Sequence, residues 1–334
     1  MRRIPLAFRL VGTTFLVLSL TSCGSDNSIT LYSGRGEDLV QPVVDLCAEQ
    51  IGVEIKTRYG DSAEMLLLLQ EEGKNTPADV YLSQGAGFLG VLSAENALLP
   101  LDDAITSRVS NSNLISPAND WIGVSGRART VAYNTNILSA DDLPESFTGF
   151  ADPKWSGRIG WAPTNASFQD HVTALRGLLG DDATRAWLSD MVANKPIAYD
   201  GNTAILEGVA SGEVDIGFVN HYYLYRFLEE DSSFPVANHF FDNGDPGALI
   251  NVAGAGITVH SQHAETAQRL LECLLSTEVQ NYFASTNFEL PVVDDATPWS
   301  DLPKVDTLTL PTFDLNLLAD VQGTVAMLVE VGAL

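Results

Sequence analysis

Two adjacent tyrosines, Tyr222 and Tyr223, stand in the stretch VNHYYLYRF, straight after the apolar run VDIGFV and before a helix-like LYRFLEE. Successive side chains on a strand face opposite ways, and neighbours on a helix lie about 100° apart, so two such rings do not simply fill one core slot. A strand end leading into a helix can aim both into a cleft. A phenol has a pKa of about 10, so paired phenols ionise at neutral pH only beside a strong positive charge. A hard trivalent cation supplies that charge, and oxygen ligands suit hard ions. Aromatic packing at a strand end, or a platform for a stacked sugar, fits the same two residues. Local sequence leaves the three open.

Other loops hold groups suited to anions. In PTNASFQD, Thr164, Asn165 and Ser167 are cap-type residues opening a helix whose first N–H groups lack intrahelical partners. Asn202 or Thr203 caps another in DGNTAILEG, and Asn220 ends the run before the tyrosines. Arg35 lies in YSGRGED between Gly34 and Gly36, and Arg127 and Arg129 lie in GVSGRARTV. All three arginines can hold an anion, while an inter-lobe salt bridge is the alternative for Arg127 and Arg129. Tyr59, Tyr133, Gln84 and His221 complete the accessory set, with His221 read more simply as an exposed helix-start residue. The five histidines show no HExxH-like spacing, no zinc-type Cys/His spacing occurs, and GVSGR around Ser125 is not a nucleophile elbow. An enzyme is therefore not expected.

The segments that must position these residues alternate between two periods. EDLVQPVVDLCAEQ, SAEMLLLLQEE and AGFLGVLSAENAL read as helices, and VEIKTRY and ADVYLS as the strands between them. The pattern resumes with GRIGWAPT, SFQDHVTALRGLLG, DATRAWLSDMVAN, NTAILEGVASG and VDIGFVN, which predicts an α/β fold with a largely parallel sheet. Two long extended runs, WIGVSGRARTVAYNT and GALINVAGAGITV, bracket this second unit. The chain thus leaves one lobe, builds another and returns, with a cleft between lobes joined by two crossover strands. The expected bounds are 29–125 with 253–300 for the first lobe, and 126–252 with 301–334 for the second. AETAQRLLECLLSTEVQNYFAS reads as one amphipathic helix.

The N-terminus places arginines before a short apolar core that ends in LTSC. It is too short for a bilayer span and reads as a signal peptide over 1–22, with Cys23 lipidated as in bacterial lipoproteins and 23–28 a short linker. The protein is expected outside the cytoplasm, tethered to the membrane by that lipid, at the cell surface or in the periplasm. A formal net charge of -25 makes nucleic acid and anionic membranes poor partners and favours a cation that brings its own anion. Cys47 and Cys273 lie on apolar helical patterns and read as buried and unpaired, although a disulfide is allowed in that compartment.

From about Ile29 onward the chain resembles the ferric-ion-binding proteins of bacterial iron ABC importers, within the two-lobed (type II) periplasmic-binding-protein class. The resemblance rests on LYSGRGE, LLQEEGKNTPADVYLSQ, WIGVSGRARTVAYNT, DPKWSGRIGWAPT, GNTAILEGVASGEVDIGFVNHYY and DPGALINVAGAGI, in that order and spacing. It implies Fe(3+) as cargo on Tyr222 and Tyr223, with carbonate or phosphate as synergistic anion on Asn165, Ala166, Ser167, Asn202 and Asn220. It also implies a membrane permease and ATPase as partners of a monomer. The departures are Gly36, where many relatives carry histidine, Gln84, where they carry glutamate, and the absence of a further tyrosine in PTNASF. Exogenous anions and water must then complete the shell, or the solute is another small molecule such as an oxyanion or polyamine.

Overall fold

The computed structural model describes residues 28–300 and 302–334, so the signal segment and Cys23 lie outside the described residues. The first unit is β1 (Ser28–Ser33), α1 (Glu37–Ile51), β2 (Glu54–Tyr59), α2 (Ser62–Glu72), β3 (Val80–Ser83), α3 (Ala86–Ala94) and the short α4 (Asp103–Thr106). A 14-residue strand, β4 (Trp121–Asn134), leads to β5 (Ile159–Trp161), α5 (Ala166–Leu179), α6 (Asp181–Ala193) and β6 (Ile197–Ala198). Then come α7 (Asn202–Ser211), β7 (Ile216–Asn220), α8 (Tyr222–Glu230) and β8 (Val236–His239). The return strand β9 (Ile250–Ile257) precedes α9 (Ala264–Leu274), α10 (Thr277–Asn287) and a C-terminal α11 (Val321–Glu330).

The strands run in the order β2-β1-β3-β9-β4-β7-β5-β6, with β8 beside β4. β1 pairs in parallel with β2 and β3, and β5 in parallel with β6 and β7, so each lobe has the strand–helix build that its alternating pattern calls for. β4 and β9 pair antiparallel between the lobes. Up to Ala128, β4 lies against β9; from Arg129 onward it lies against β7. One strand thereby changes lobes between Arg127 and Arg129, two residues that share a strand face.

The apolar stripes of the first lobe close over one core that includes Leu31, Val80, Leu89, Trp121 and Phe283. The second lobe has an aromatic core of Phe147, Phe150, Trp155, Phe168 and Phe218, and a smaller cluster of Ile205, Leu206, Val209 and Val219 under α7 and α8. Phe147 and Phe218 centre their rings 4.8 Å apart, a pairing worth about 0.5–1.5 kcal/mol beyond the area it buries.

The C-terminal half differs from the sequence expectation in three places. The single helix over 264–285 is two, because Ser276 caps α10 by accepting the Val279 N–H at 3.3 Å, and serine favours a cap over a helix interior. The tail does not belong wholly to the second lobe. Leu302, Val305, Phe313, Leu315 and Leu318 bury in the first core, and only then do Met327 and Leu328 of α11 join the second. The cysteines are paired: Cys47 on α1 and Cys273 on α9 form a disulfide with Cα atoms 5.8 Å apart. Helical spacing showed that each faces a core, but not that the two helices lie side by side.

This bond spans 226 residues of sequence and restrains the unfolded chain. Replacing both cysteines by serine should cost about 2–5 kcal/mol. Thermal melts with and without reductant check this, and a melt indifferent to both treatments would count against it.

Candidate functional site

In the second lobe β5, β6 and β7 each run out into a helix start, and three asparagines tie those starts together. Asn165 caps α5 by accepting the Ser167 N–H at 3.1 Å. Asn202, the first residue of α7, donates to Asn165 Oδ1 at 3.5 Å and accepts the Asn220 N–H at 2.8 Å. Asn220 in turn accepts from Arg129 Nη1 at 3.0 Å, and the same nitrogen donates to Ser167 Oγ at 3.2 Å. The N–H-rich ends of α5, α7 and α8 therefore surround one guanidinium.

Arg129 is 4% exposed, and its Nε and Nη2 are buried without a hydrogen-bond partner, as is Nε of Arg127. Burial pulls the Arg129 pKa down to about 10, while nearby Tyr222, Asp170 and Tyr223 raise it, so it stays charged at neutral pH. Neither Arg127 nor Arg129 reaches a carboxylate within ion-pair distance among the described residues. The inter-lobe salt bridge is thus not formed. Arg127 instead donates through Nη2 to the backbone carbonyl of Gln84 in the first lobe.

Tyr222 and Tyr223 sit where β7 turns into α8, with stacked rings 4.5 Å apart and 27° from parallel. The helix turn at His221 brings both onto one side, which a continued strand would not do. Arg226, one turn on, lies 5.7 Å from each ring centroid. Tyr223 has its pKa raised by burial first and by the neighbouring phenol second. Tyr223 therefore keeps its proton at neutral pH.

The accessory candidates divide. His221 is buried rather than exposed, and both ring nitrogens are taken: Nδ1 accepts the Ala128 N–H at 3.1 Å and Nε2–H donates to the Phe288 carbonyl at 2.8 Å. It is a structural bridge, not a ligand. Arg35 is likewise committed, bonding Glu289 at 2.8 Å and Ser125 Oγ at 3.1 Å inside the first lobe, because a buried cation needs a carboxylate beside it. Tyr59 donates to Gln41 at 2.7 Å, and Tyr133 packs on the second core. Gln84 has its backbone held at both ends, its N–H donating to Ser62 Oγ at 2.9 Å. Gly34 and Gly36 differ: a Cβ on Gly34 would strike Ser62 Oγ at 2.2 Å, whereas one on Gly36 would meet nothing within 4 Å. Among the described residues there is no cluster of three or more His, Cys, Asp or Glu side chains that could hold a metal. Sequence reasoning missed Asp170, three residues past Ser167 on α5, and Asn251 on β9. The helical i,i+3 spacing was a signal for the first, and nothing local marked the second.

Two α/β lobes, two crossover strands and helix starts converging on a buried cation and two phenols define a hinged solute-binding protein. The chain belongs to the bacterial extracellular solute-binding protein family, whose model matches residues 43–308. The major ferric iron-binding protein of Neisseria meningitidis serogroup A is 31% identical over 308 residues, covering 91% of this chain and 92% of that one. The Fe(3+)-binding periplasmic protein of Serratia marcescens is 32% identical over 314 residues, covering 90% and 92%. Among solved structures, iron-bound HitA from Pseudomonas aeruginosa aligns with a TM-score of 0.79 at 30% identity, over 91% of this chain and 99% of that one. A Trichodesmium protein in complex with iron and citrate aligns at 0.82 and 28% identity, with the same coverage.

The buried titrating groups make stability depend on pH with a sign that can be worked out. Burial lowers His171 from 6.5 to about 3 and His221 to about 4, and it raises Asp170 from 3.8 to about 6. Between about pH 6 and pH 4, unfolding lets both histidines take up a proton while Asp170 gives one up, a net uptake of about one. Stability should therefore decrease as the pH is lowered from 6 to 4, by roughly 1 kcal/mol per unit from these three groups. His221→Gln, whose amide keeps one donor and one acceptor, should largely cancel that slope. Urea midpoints across this range test it, and an unchanged slope in the variant would be the contrary result.

Proposed function

We propose that this chain is the extracytoplasmic binding component of a bacterial ABC importer for ferric iron, and that Tyr222 and Tyr223 are its metal ligands. One observation carries the reading: stacked phenols stand at a helix start beside a buried guanidinium with unsatisfied donors. Iron displaces the phenol protons, and the phenolates gain a trivalent partner. A carbonate or phosphate anion seats among Ser167, Asn202, Asn220, Arg129 and the amides at Asn165–Ser167. The relatives named for ferric iron support this cargo. The protein acts as a monomer, held by lipid on Cys23 to the membrane that carries its permease and ATPase. A second reading, an oxyanion without iron, is favoured by the unpartnered donors of Arg127 and Arg129.

Ferric iron added with carbonate should give a visible phenolate-to-iron band. Tyr222→Phe or Tyr223→Phe should abolish that band and weaken binding by several orders of magnitude. A double Phe variant that colours normally would end the reading, and calorimetric phosphate binding without iron would favour the second. Binding should weaken as pH falls, since protons compete for phenolates. The open space beside Gly36 supports one gain-of-function test, because its φ of −59° suits any residue. Gly36→His should tighten iron binding by supplying a first-lobe donor; unchanged affinity in iron titrations would place that loop away from the metal.

A further inference from the structure

A line of polar contacts runs from the anion seat into the other lobe. Asp170 lies on α5, one turn beyond Ser167, and its Oδ2 accepts from Asn251 Nδ2 at 2.7 Å. Asn251 stands on β9 directly opposite Arg127 in the sheet register. Its Oδ1 accepts the N–H of Ala86 at 3.3 Å, an amide at the start of α3 that has no intrahelical acceptor. Gly85 packs beside the same asparagine, with its Cβ position 3.7 Å from Nδ2. Arg127 grips the same loop through the Gln84 carbonyl. Second lobe, crossover strands and first-lobe loop are thus joined in one relay. Asp170 is partly accessible at its surface, yet its carboxyl is enclosed enough that burial raises its pKa to about 6 against the pull of Arg127 and Arg129. A carboxyl held there at a desolvation cost, without an ion-pair partner, does not serve simple packing.

We infer that Asp170 is a positioning residue: through Asn251 it ties the helix carrying the anion seat to the Gln84–Ala86 loop, and so sets how readily the cleft closes on its cargo. A hinged binding protein closes when contacts across the lobes outweigh those of the open state, and the ligand's apparent affinity includes that closing equilibrium. Asp170 and Asn251 provide such contacts without touching the phenols. The readout as iron affinity rests on the ferric proposal; the relay itself does not.

Asp170→Ala, Asn251→Ala and Asp170→Asn test it in the whole protein. In ligand-free protein, hydrogen exchange at the amides of residues 84–88 should quicken in the two alanine variants and stay near wild type in Asp170→Asn, whose carbonyl still accepts from Asn251. Titration with ferric iron and carbonate should show about tenfold weaker binding for the alanine variants, with Asp170→Asn within about threefold of wild type. The phenolate band should keep its wavelength in all three. Alanine variants with wild-type affinity would overturn the inference, and so would Asp170→Asn as weak as Asp170→Ala, which would assign the effect to charge. If wild type binds no iron, the ferric proposal fails, and exchange in the ligand-free variants still decides the relay.

Discussion

The buried guanidinium of Arg129 is the constraint around which the second lobe is arranged. A cation this enclosed is normally matched by a carboxylate, as Arg35 is by Glu289. Arg129 has amide and hydroxyl oxygens instead, plus two nitrogens with no partner. Leaving such donors unsatisfied costs on the order of 1–3 kcal/mol each. The cost persists because Asn165, Asn202 and Asn220 fix three helix starts around the arginine, and because β4 pairs Arg129 with Asn220 in register. Unpartnered donors kept in place at such a cost are strain of the kind found at functional sites.

The long strand explains how that expense connects to motion. β4 belongs to the first lobe through Ala128 and to the second from Arg129, with Arg127 and Arg129 on one face across the change. A bend there carries the site with it. The tail adds a third crossing: Trp121 Nε1 donates to Asn316 at 2.8 Å on the first-lobe side, and Arg176 of α5 bonds Asp320 and Thr324 on the other. Closure therefore has to flex two strands and a strap together, which favours a single hinge movement over independent loop adjustments.

Much of this was legible in the sequence, because it depends on local pattern. Alternating helix and strand periods, two long extended runs and the asparagine-led helix starts are short-range features, and each appears where its residues put it. The tyrosine pair was legible for the same reason, as a strand end meeting a helix. What escaped were facts decided by distant partners. His221 looked exposed because it begins a helix, yet its nitrogens meet Ala128 and Phe288. Arg35 looked like an anion holder until Glu289 was found beside it, 254 positions away. Asn251 had no local mark at all, and Cys47 with Cys273 could be joined only once α1 and α9 were seen to pack. Local chemistry identifies which groups can act; tertiary partners decide which are already spent.

If the proposed ferric site is right, the order of events there follows from charge. A ferric cation there meets Arg129 and, close by, Arg127, with Asp170 as an opposing charge beside them. At an effective dielectric near 20, a unit charge about 5 Å from a trivalent ion interacts with it by roughly 10 kcal/mol. On that reading a bare ferric ion would be repelled by the arginines. An anion bound at the helix starts would reverse that field, satisfying Arg129 and drawing the cation toward the phenols. Anion and phenolates would then each make the other's binding more favourable.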